Sequence, residues 1–393
     1  MGKGQSVPEY RWKARPGPFA ATPDRLVQCS NGMPFPLTLA AWLHDLDPFI
    51  FEVTRGVGLR WYGTAYAAGF IVAYLLLRAL RRRGGTPLSE QQIGDAMLVL
   101  CMGVVVGGRL GYVLFYDPSL LVSFGGSAPW WGLLKLNQGG MSSHGGMLGV
   151  LAACWWIKRT LDRDPAVAPK VPLLHVMDLT ALVCTPGLFF GRLANFVNGE
   201  LLGDIVAKPG ELSPWWSVKF PQERFSGHEP TLDPAQQQRL LDLLDTYRVG
   251  AESDELAYDR VVGLLRAGGS QARDIAASLE PLLAARHPSQ LYQALAEGLF
   301  LGLCLLLAWK SPRRPGFIVA LFLVIYGGLR IVTELYRLPD ADLAVQRIAG
   351  LSRGQWLSVV MIGFGALCLW ISSKQPGRLG GWGRRTPDAG HAA

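Results

Sequence analysis

Apolar residues along the chain gather into seven runs separated by polar, often basic, connections. The runs lie near residues 61 to 80, 93 to 116, 144 to 158, 174 to 195, 290 to 309, 316 to 335 and 355 to 373. A hydrocarbon core of roughly 30 Å takes about 20 helical residues to cross, so each run is read as a spanning helix, the third being the shortest. The pattern predicts an all-α, polytopic membrane bundle of about seven transmembrane helices. Residues 204 to 286 interrupt it, being hydrophilic and too long for a turn. Within them Gln236 to Tyr247 and Gln271 to Ala285 carry Leu, Ile and Ala at helical spacing, which predicts a small, mostly helical head. Residues 1 to 45, rich in Pro and Gly, read as a flexible arm, with Leu37 to Leu43 around Trp42 expected as a short interfacial helix. The chain divides accordingly into the arm (1–45), helices one to four (46–203), the head (204–286), helices five to seven (287–373) and a tail (374–393).

Composition supports a bilayer as the solvent. Half of the 393 residues are hydrophobic and 17% are charged, which leaves long stretches with no polar face for water. The net charge of +8 could serve nucleic acid, anionic lipid or a bias among the loops, and the placement of the basic residues decides. Arg78 and Arg81 to Arg83 follow the first run; Lys158, Arg159, Arg163 and Lys170 the third; Lys310, Arg313 and Arg314 the fifth; Lys374, Arg378, Arg384 and Arg385 the last. Every alternate connection is basic, which predicts an extracytoplasmic N-terminus and a cytoplasmic C-terminus. Lys3, Arg11, Lys13 and Arg15 pull the other way but lie far from the first run, and no apolar h-region follows them, so the first spanning helix is expected to direct targeting. Of six cysteines, five fall in apolar runs, and neither a disulfide framework nor a zinc spacing follows.

Ionisable groups inside spans are costly and mark either function or buried pairing. Tyr326, Arg330, Glu334 and Arg337 line one side of the sixth span, readable as an internal salt bridge or as an anion site with Glu334 orienting Arg330. At the end of the fourth span, in Gly191-Arg-Leu-Ala-Asn-Phe-Val-Asn-Gly-Glu-Leu-Leu-Gly203, Arg192 and Asn195 share a face. Asn198-Gly199 ends the helix and lets Glu200 fold back; the bland alternative is a capped terminus with a snorkelling arginine. Gly139-Gly-Met-Ser-Ser-His-Gly-Gly146 opens the third span, with Ser143 a plausible N-cap and His144 either an interface residue or a functional one. Gly103, Gly107 and Gly111 form a face for close packing that does not account for Arg109. With these helix directions Tyr62, His144, Arg192 and Glu334 fall on the outer side. Arg109 and Arg330 lie about 21 to 24 Å from the cytoplasmic starts of their helices at 1.5 Å per residue. All converge in the outer half of the membrane, as a site for an anionic lipid headgroup would.

The 13-residue segment ending at Gly203 resembles the signature of prolipoprotein diacylglyceryl transferases. Further similar segments are Trp61-Tyr62-Gly63, Gly107-Gly-Arg-Leu-Gly-Tyr112, His144-Gly-Gly146, Arg286-His-Pro-Ser-Gln-Leu-Tyr292 and Tyr326-Gly-Gly-Leu-Arg330, with Glu334 and Arg337-Leu-Pro-Asp340. The resemblance runs from about residue 47 to 373. It implies a seven-span inner-membrane bundle with a periplasmic head. It also implies transfer of diacylglyceryl from phosphatidylglycerol to the lipobox cysteine of a preprolipoprotein, without nucleic acid, metal or cofactor. The residues it implies as essential are Tyr62, His144, Arg192, Asn195, Glu200, Gly203, Arg330 and Glu334. Departures from the family pattern are Arg60 before Trp-Tyr-Gly, Gln293 in place of a frequent glutamate, the added arm and an enlarged head.

A thiol with a pKa near 8.5 needs a base or a cation to react. The expected assignment makes His144, Arg192 and Arg330 catalytic: His144 as the base, the guanidinium groups on the phosphodiester and its leaving charge. Tyr62, Arg109, Asn195, Glu200, Gly203, Tyr326, Glu334 and Arg337 would bind or orient the substrate. In the alternative, the arginines alone depress the thiol pKa and His144 only positions lipid. A secondary transporter would want midplane sites and an internal repeat, which the sequence does not display, and a scaffold would leave the charges as paired interface residues.

Overall fold

Polar residues written at the helix starts set the elements. Ser89 and Gln92, Asp233 and Gln236, and Ser352 and Gln355 each form a reciprocal capping box, satisfying backbone donors that the first turn leaves open. In this computed structural model the described residues are 41–382, apart from 55–56, 127–128, 136–138, 168–169, 226, 228 and 339–346. The expectations for residues 1 to 40, for Asp340 and for Arg384 and Arg385 lie outside them.

The chain enters through β1 (Trp42–Leu43) and the hairpin β2 (Phe49–Thr54) and β3 (Val57–Arg60). It then forms α1 (Trp61–Arg82), α2 (Glu90–Phe115), α3 (Ser143–Arg163) and α4 (Leu173–Asn198). The head follows as β4 (Ile205–Ala207), β5 (Val218–Lys219), α5 (Pro234–Tyr247), α6 (Asp254–Ala267), α7 (Gly269–Leu279) and β6 (Ala285–Arg286). The chain returns through α8 (Ser289–Trp309), α9 (Phe317–Thr333) and α10 (Arg353–Lys374). Six of these helices are long and apolar enough to cross a membrane. The 21 residues of α3 span about 31 Å at 1.5 Å per residue, but its last turns carry Lys158, Arg159, Asp162 and Arg163.

Glycine lets the helices meet. In the antiparallel pair α2 and α3, a Cβ on Gly149 would stand 1.9 Å from the Gly103 carbonyl oxygen, and one on Gly145 2.3 Å from that of Gly107. Backbones that close replace apolar driving force with van der Waals contact, the mode of association available in lipid. Gly69 of α1 meets Gly187 of α4, and Gly298 of α8 meets Phe189. The fourth and ninth helices run parallel, joined where the buried Asp178 carboxylate accepts the Gly316 N–H at 2.7 Å and the Val319 N–H at 2.8 Å. An acid inside a span is thus the N-terminal cap of its neighbour. Leu80, Ile93, Leu182, Leu301, Leu305 and Ile318 fill the core, while Leu98, Leu114, Leu148, Trp155, Leu303 and Val360 stay exposed as a shell suited to lipid.

The head carries its helices beside a small sheet. Its helices bury Leu243, Leu244, Tyr258, Val261 and Ile275 together, and α6 was not foreseen. Beside them lies a four-stranded sheet, order β1-β5-β6-β4, with β1 parallel to β5 and the other pairs antiparallel. Trp42 and Leu43 are therefore strand rather than interfacial helix, paired with Val218 and Lys219 of the head. Gln271 to Ala285 is helical only to Leu279, then turns through Glu280–Leu282 into β6.

Candidate functional site

The end of the bundle that meets the head gathers ionisable residues of several spans into two linked clusters. The first grows from the end of α4. Gly199 takes the left-handed conformation, φ 67°, and a Cβ there would stand 2.4 Å from Gln222, so the turn after Asn198 requires glycine. Glu200 folds back: its Oε2 accepts from Asn195 Nδ2 at 3.2 Å, and the same amide donates to the Tyr62 hydroxyl at 2.9 Å. Gln290 of α8 donates to the Glu200 carbonyl at 2.5 Å. Gly203 lies against His287 so closely that a Cβ would stand 2.2 Å from its carbonyl oxygen, and it pairs with Arg337 in an isolated β-bridge.

The second cluster centres on Glu297, fully buried in a π-helical stretch, Ala294–Phe300, within α8. Its Oε2 lies 3.3 Å from Arg192 Nη2, and its Oε1 lies 3.5 Å from Arg330 Nη1 and accepts from the Thr333 hydroxyl at 2.8 Å. Arg330 Nη2 is 3.1 Å from Glu334 Oε2, which also meets Arg337 Nη1 at 3.5 Å, and Ser352 donates to Glu334 Oε1 at 3.3 Å. The Tyr326 hydroxyl lies within hydrogen-bonding reach of Arg192. Three guanidinium groups thus face two buried carboxylates, a formal surplus of one positive charge. Arg330 Nη1 is buried and, beyond its 3.5 Å ion pair with Glu297, makes no hydrogen bond among the described residues. A π-turn of this kind re-aims a side chain and recurs at functional sites.

Beside this cluster opens a groove of about 440 Å³ lined by Trp216, His287, Tyr292, Ala296, Val332, Thr333 and Tyr336. The Trp216 and Tyr336 rings each lie 5.1 Å from that of His287. Burial pushes the His287 imidazole below its ordinary pKa, with Asp204 opposing, so the neutral ring prevails at neutral pH.

Of the residues singled out from sequence, the structure joins Tyr62, Asn195 and Glu200 in one cluster and Arg192, Tyr326, Arg330, Glu334 and Arg337 in the other, with Gly203 at their border. It does not join Arg109. That guanidinium gives all five N–H donors to carbonyls of the α2–α3 connection: Leu133 at 2.8 Å, Gly139 at 2.7 Å, Gly140 at 2.9 Å, Gly132 at 2.7 Å and Lys135 at 3.4 Å. No donor is left for a substrate. Nor does it join His144, which stands exposed in the first turn of α3 with no hydrogen bond or ion pair to either cluster among the described residues. Ser142, not Ser143, caps that helix, accepting from the Gly145 N–H at 3.3 Å. Glu297 was missed, although it is the sole charged residue in the run from 290 to 309.

The sequence profile of the prolipoprotein diacylglyceryl transferase family matches residues 48–371, across both clusters. The chain belongs to this family. Among similar proteins is the phosphatidylglycerol–prolipoprotein diacylglyceryl transferase of Bdellovibrio bacteriovorus, 38% identical over 358 residues, 87% of this chain and 97% of the relative. Those of Ruegeria pomeroyi and Solidesulfovibrio magneticus are 34% and 35% identical, covering 83% and 81% of this chain and 94% and 91% of theirs.

Proposed function

We propose that this protein transfers the diacylglyceryl group of phosphatidylglycerol to the lipobox cysteine of a preprolipoprotein, the first step of lipoprotein maturation. Membership of the family supports the reaction, and its relatives carry both substrates in their names. The observation that carries the site is the meeting of Arg192 and Arg330, from α4 and α9, on the one buried carboxylate of Glu297.

The reaction forms a carbon–sulfur bond at the glycerol carbon bearing the phosphate ester and breaks the carbon–oxygen bond there. Glycerol phosphate leaves with one more negative charge than the diester carried. Arg192 and Arg330 hold the phosphate oxygens, and the positive cluster attracts the growing second negative charge of the leaving phosphate more strongly than the single charge of the bound diester, which is the direction catalysis requires. Glu297 and Glu334 fix the guanidinium groups; Tyr62, Asn195 and Glu200 bind the polar part of the donor beside them. Arg109 acts at one remove, holding the loop that leads into α3. The thiol proton goes to His144, at the same end of the bundle and with its imidazole unengaged. His287 is the rival base, because it is neutral and lines the groove that reaches Thr333. Transfer rates across pH separate the two: His144→Gln should abolish the thiol-linked pH dependence and His287→Gln should keep it, and the reverse would move the base to His287.

We further assign the protein to the bacterial inner membrane, N-terminus periplasmic and C-terminus cytoplasmic. The arginine-rich ends of α1, α3, α8 and α10 support this orientation, as does the head at the opposite end. Incubating the purified protein with phosphatidylglycerol and a lipobox peptide should raise the peptide mass by one diacylglyceryl group. An unchanged peptide with a folded enzyme would refute the assignment.

A further inference from the structure

Gln293 lies between the two clusters and is used by neither. It is completely buried, and among the described residues neither its Oε1 nor its Nε2 has a hydrogen-bond partner. The Oε1 of Gln290, one turn earlier and equally buried, is also unpartnered, while its Nε2 is held by the Glu200 carbonyl. Leaving a buried amide group unsatisfied is costly enough that native proteins rarely do so without a ligand or ordered water to fill it. Gln290, Gln293, Glu297, Leu301 and Leu305 are all buried, so they mark the inward face of α8. Along that face Gln293 stands a turn from Glu297, which both arginines grip, and a turn from Gln290, which reaches the Asn195–Glu200 cluster.

We propose that the Gln293 amide, with Gln290 Oε1 beside it, hydrogen-bonds the free hydroxyls of the glycerol headgroup and so selects a polyol headgroup on the donor lipid. This rests on the reading of the arginine cluster as the phosphodiester site. A phosphate held at the level of Glu297 carries its headgroup ester one bond further on, and a helical turn of about 5.4 Å is the reach of a glycerol arm. The chemistry fits a neutral diol: hydroxyls both donate and accept, and the amide offers one of each. An ammonium headgroup would stand near two guanidinium groups whose charge repels it, and the one carboxylate at that level, Glu297, is already engaged by both. Gln293 is therefore a specificity residue on the leaving-group side of the reaction, separate from the atoms that react.

The test compares phosphatidylglycerol with phosphatidylpropanol of the same acyl chains, which lacks only the two hydroxyls. The wild-type protein should favour phosphatidylglycerol by about 10- to 100-fold in kcat/KM, the range expected for two hydrogen bonds. In Gln293→Leu the ratio should fall to within about threefold, and Gln293→Glu, which keeps the acceptor oxygens, should retain most of it. Gln293→Met serves where the leucine variant does not fold. An equal ratio in wild type and Gln293→Leu or Gln293→Met would overturn the proposal and leave the amide as the partner of buried water only. Lipid-induced thermal shifts of the same proteins run alongside. If the wild type transferred from neither lipid, the reaction assignment would fall. A preferential shift by phosphatidylglycerol that Gln293→Leu lacks would still support the headgroup contact, and its absence would remove it.

Discussion

Arg109 and Glu297 show how far a charged residue's meaning depends on what the chain folds over it. Both lie in apolar runs, and the cost of charge in lipid marks both as purposeful. For Arg109 the purpose is a loop: five carbonyls, two of them from Gly139 and Gly140 at φ 82° and 77°, converge on one guanidinium. Arg109→Lys offers three donors for five acceptors and Arg109→Ala none, so both should destabilise the protein in detergent, the alanine variant by at least about 3 kcal/mol. Residual folded enzyme should keep its KM for phosphatidylglycerol; a raised KM with unaltered thermal stability would return Arg109 to the substrate site. For Glu297 the purpose is charge balance. Glu297→Gln leaves two half-buried guanidinium groups facing a neutral amide, a loss of up to about 3–5 kcal/mol. Phosphatidylglycerol should recover part of that loss, seen as a larger lipid-induced rise in Tm than in wild type. An equal rise in both would argue against a shared anion site. Glu297 was legible in the sequence by the same rule that flagged Arg330, since no other charge interrupts its run. The saturation of Arg109 was not, because it depends on a connection whose path over α2 has no local signature.

At the scale of elements, the sequence declares what is periodic and hides what is paired at a distance. The apolar runs predict the spanning helices to within about five residues, and the glycine face of α2 finds its partner in Gly145 and Gly149. Gly149→Leu would drive a side chain into the Gly103 carbonyl, and the expected outcome is separation of α2 from α3, read as a fall in Tm and as proteolysis within residues 116–142. A protein of wild-type stability would show that the contact is dispensable. The strand at Trp42–Leu43 could not be read, because two residues have no period and their partner at Val218–Lys219 is remote in sequence. What pins it is His44, fully buried, with one ring nitrogen 2.8 Å from the Phe196 carbonyl and the other 3.2 Å from the Gln222 amide nitrogen. With Gln222 donating, the ring is neutral. Burial lowers its pKa from 6.5 to about 4, despite the bond to Phe196. The unfolded segment therefore binds the proton first: docking is fully stable above about pH 6.5 and weakens as pH falls towards 4. Hydrogen exchange at residues 42–44 should accelerate over that window and should not in His44→Asn. Equal pH dependence in the two proteins would contradict the assignment.

For the molecule as a whole, the bundle builds a site at its head end because α4, α8 and α9 each deliver one charge there from a different run. The antiparallel contact of α8 with α4 and the parallel contact of α9 with α4 bring Glu297, Arg192 and Arg330 to one depth. Asp178, capping α9 from α4, fixes that register. Sequence anticipated the common depth from helix direction alone, but not the carboxylate that joins the two arginines, nor the exposed seat of His144 apart from them. The decisive measurement is the single-turnover rate of transfer from phosphatidylglycerol to a lipobox peptide by Arg192→Ala and Arg330→Ala, each first shown to be folded by its thermal transition. A loss of about 100-fold or more in both agrees with two guanidinium groups holding one phosphate. Wild-type rates in either folded variant would contradict it.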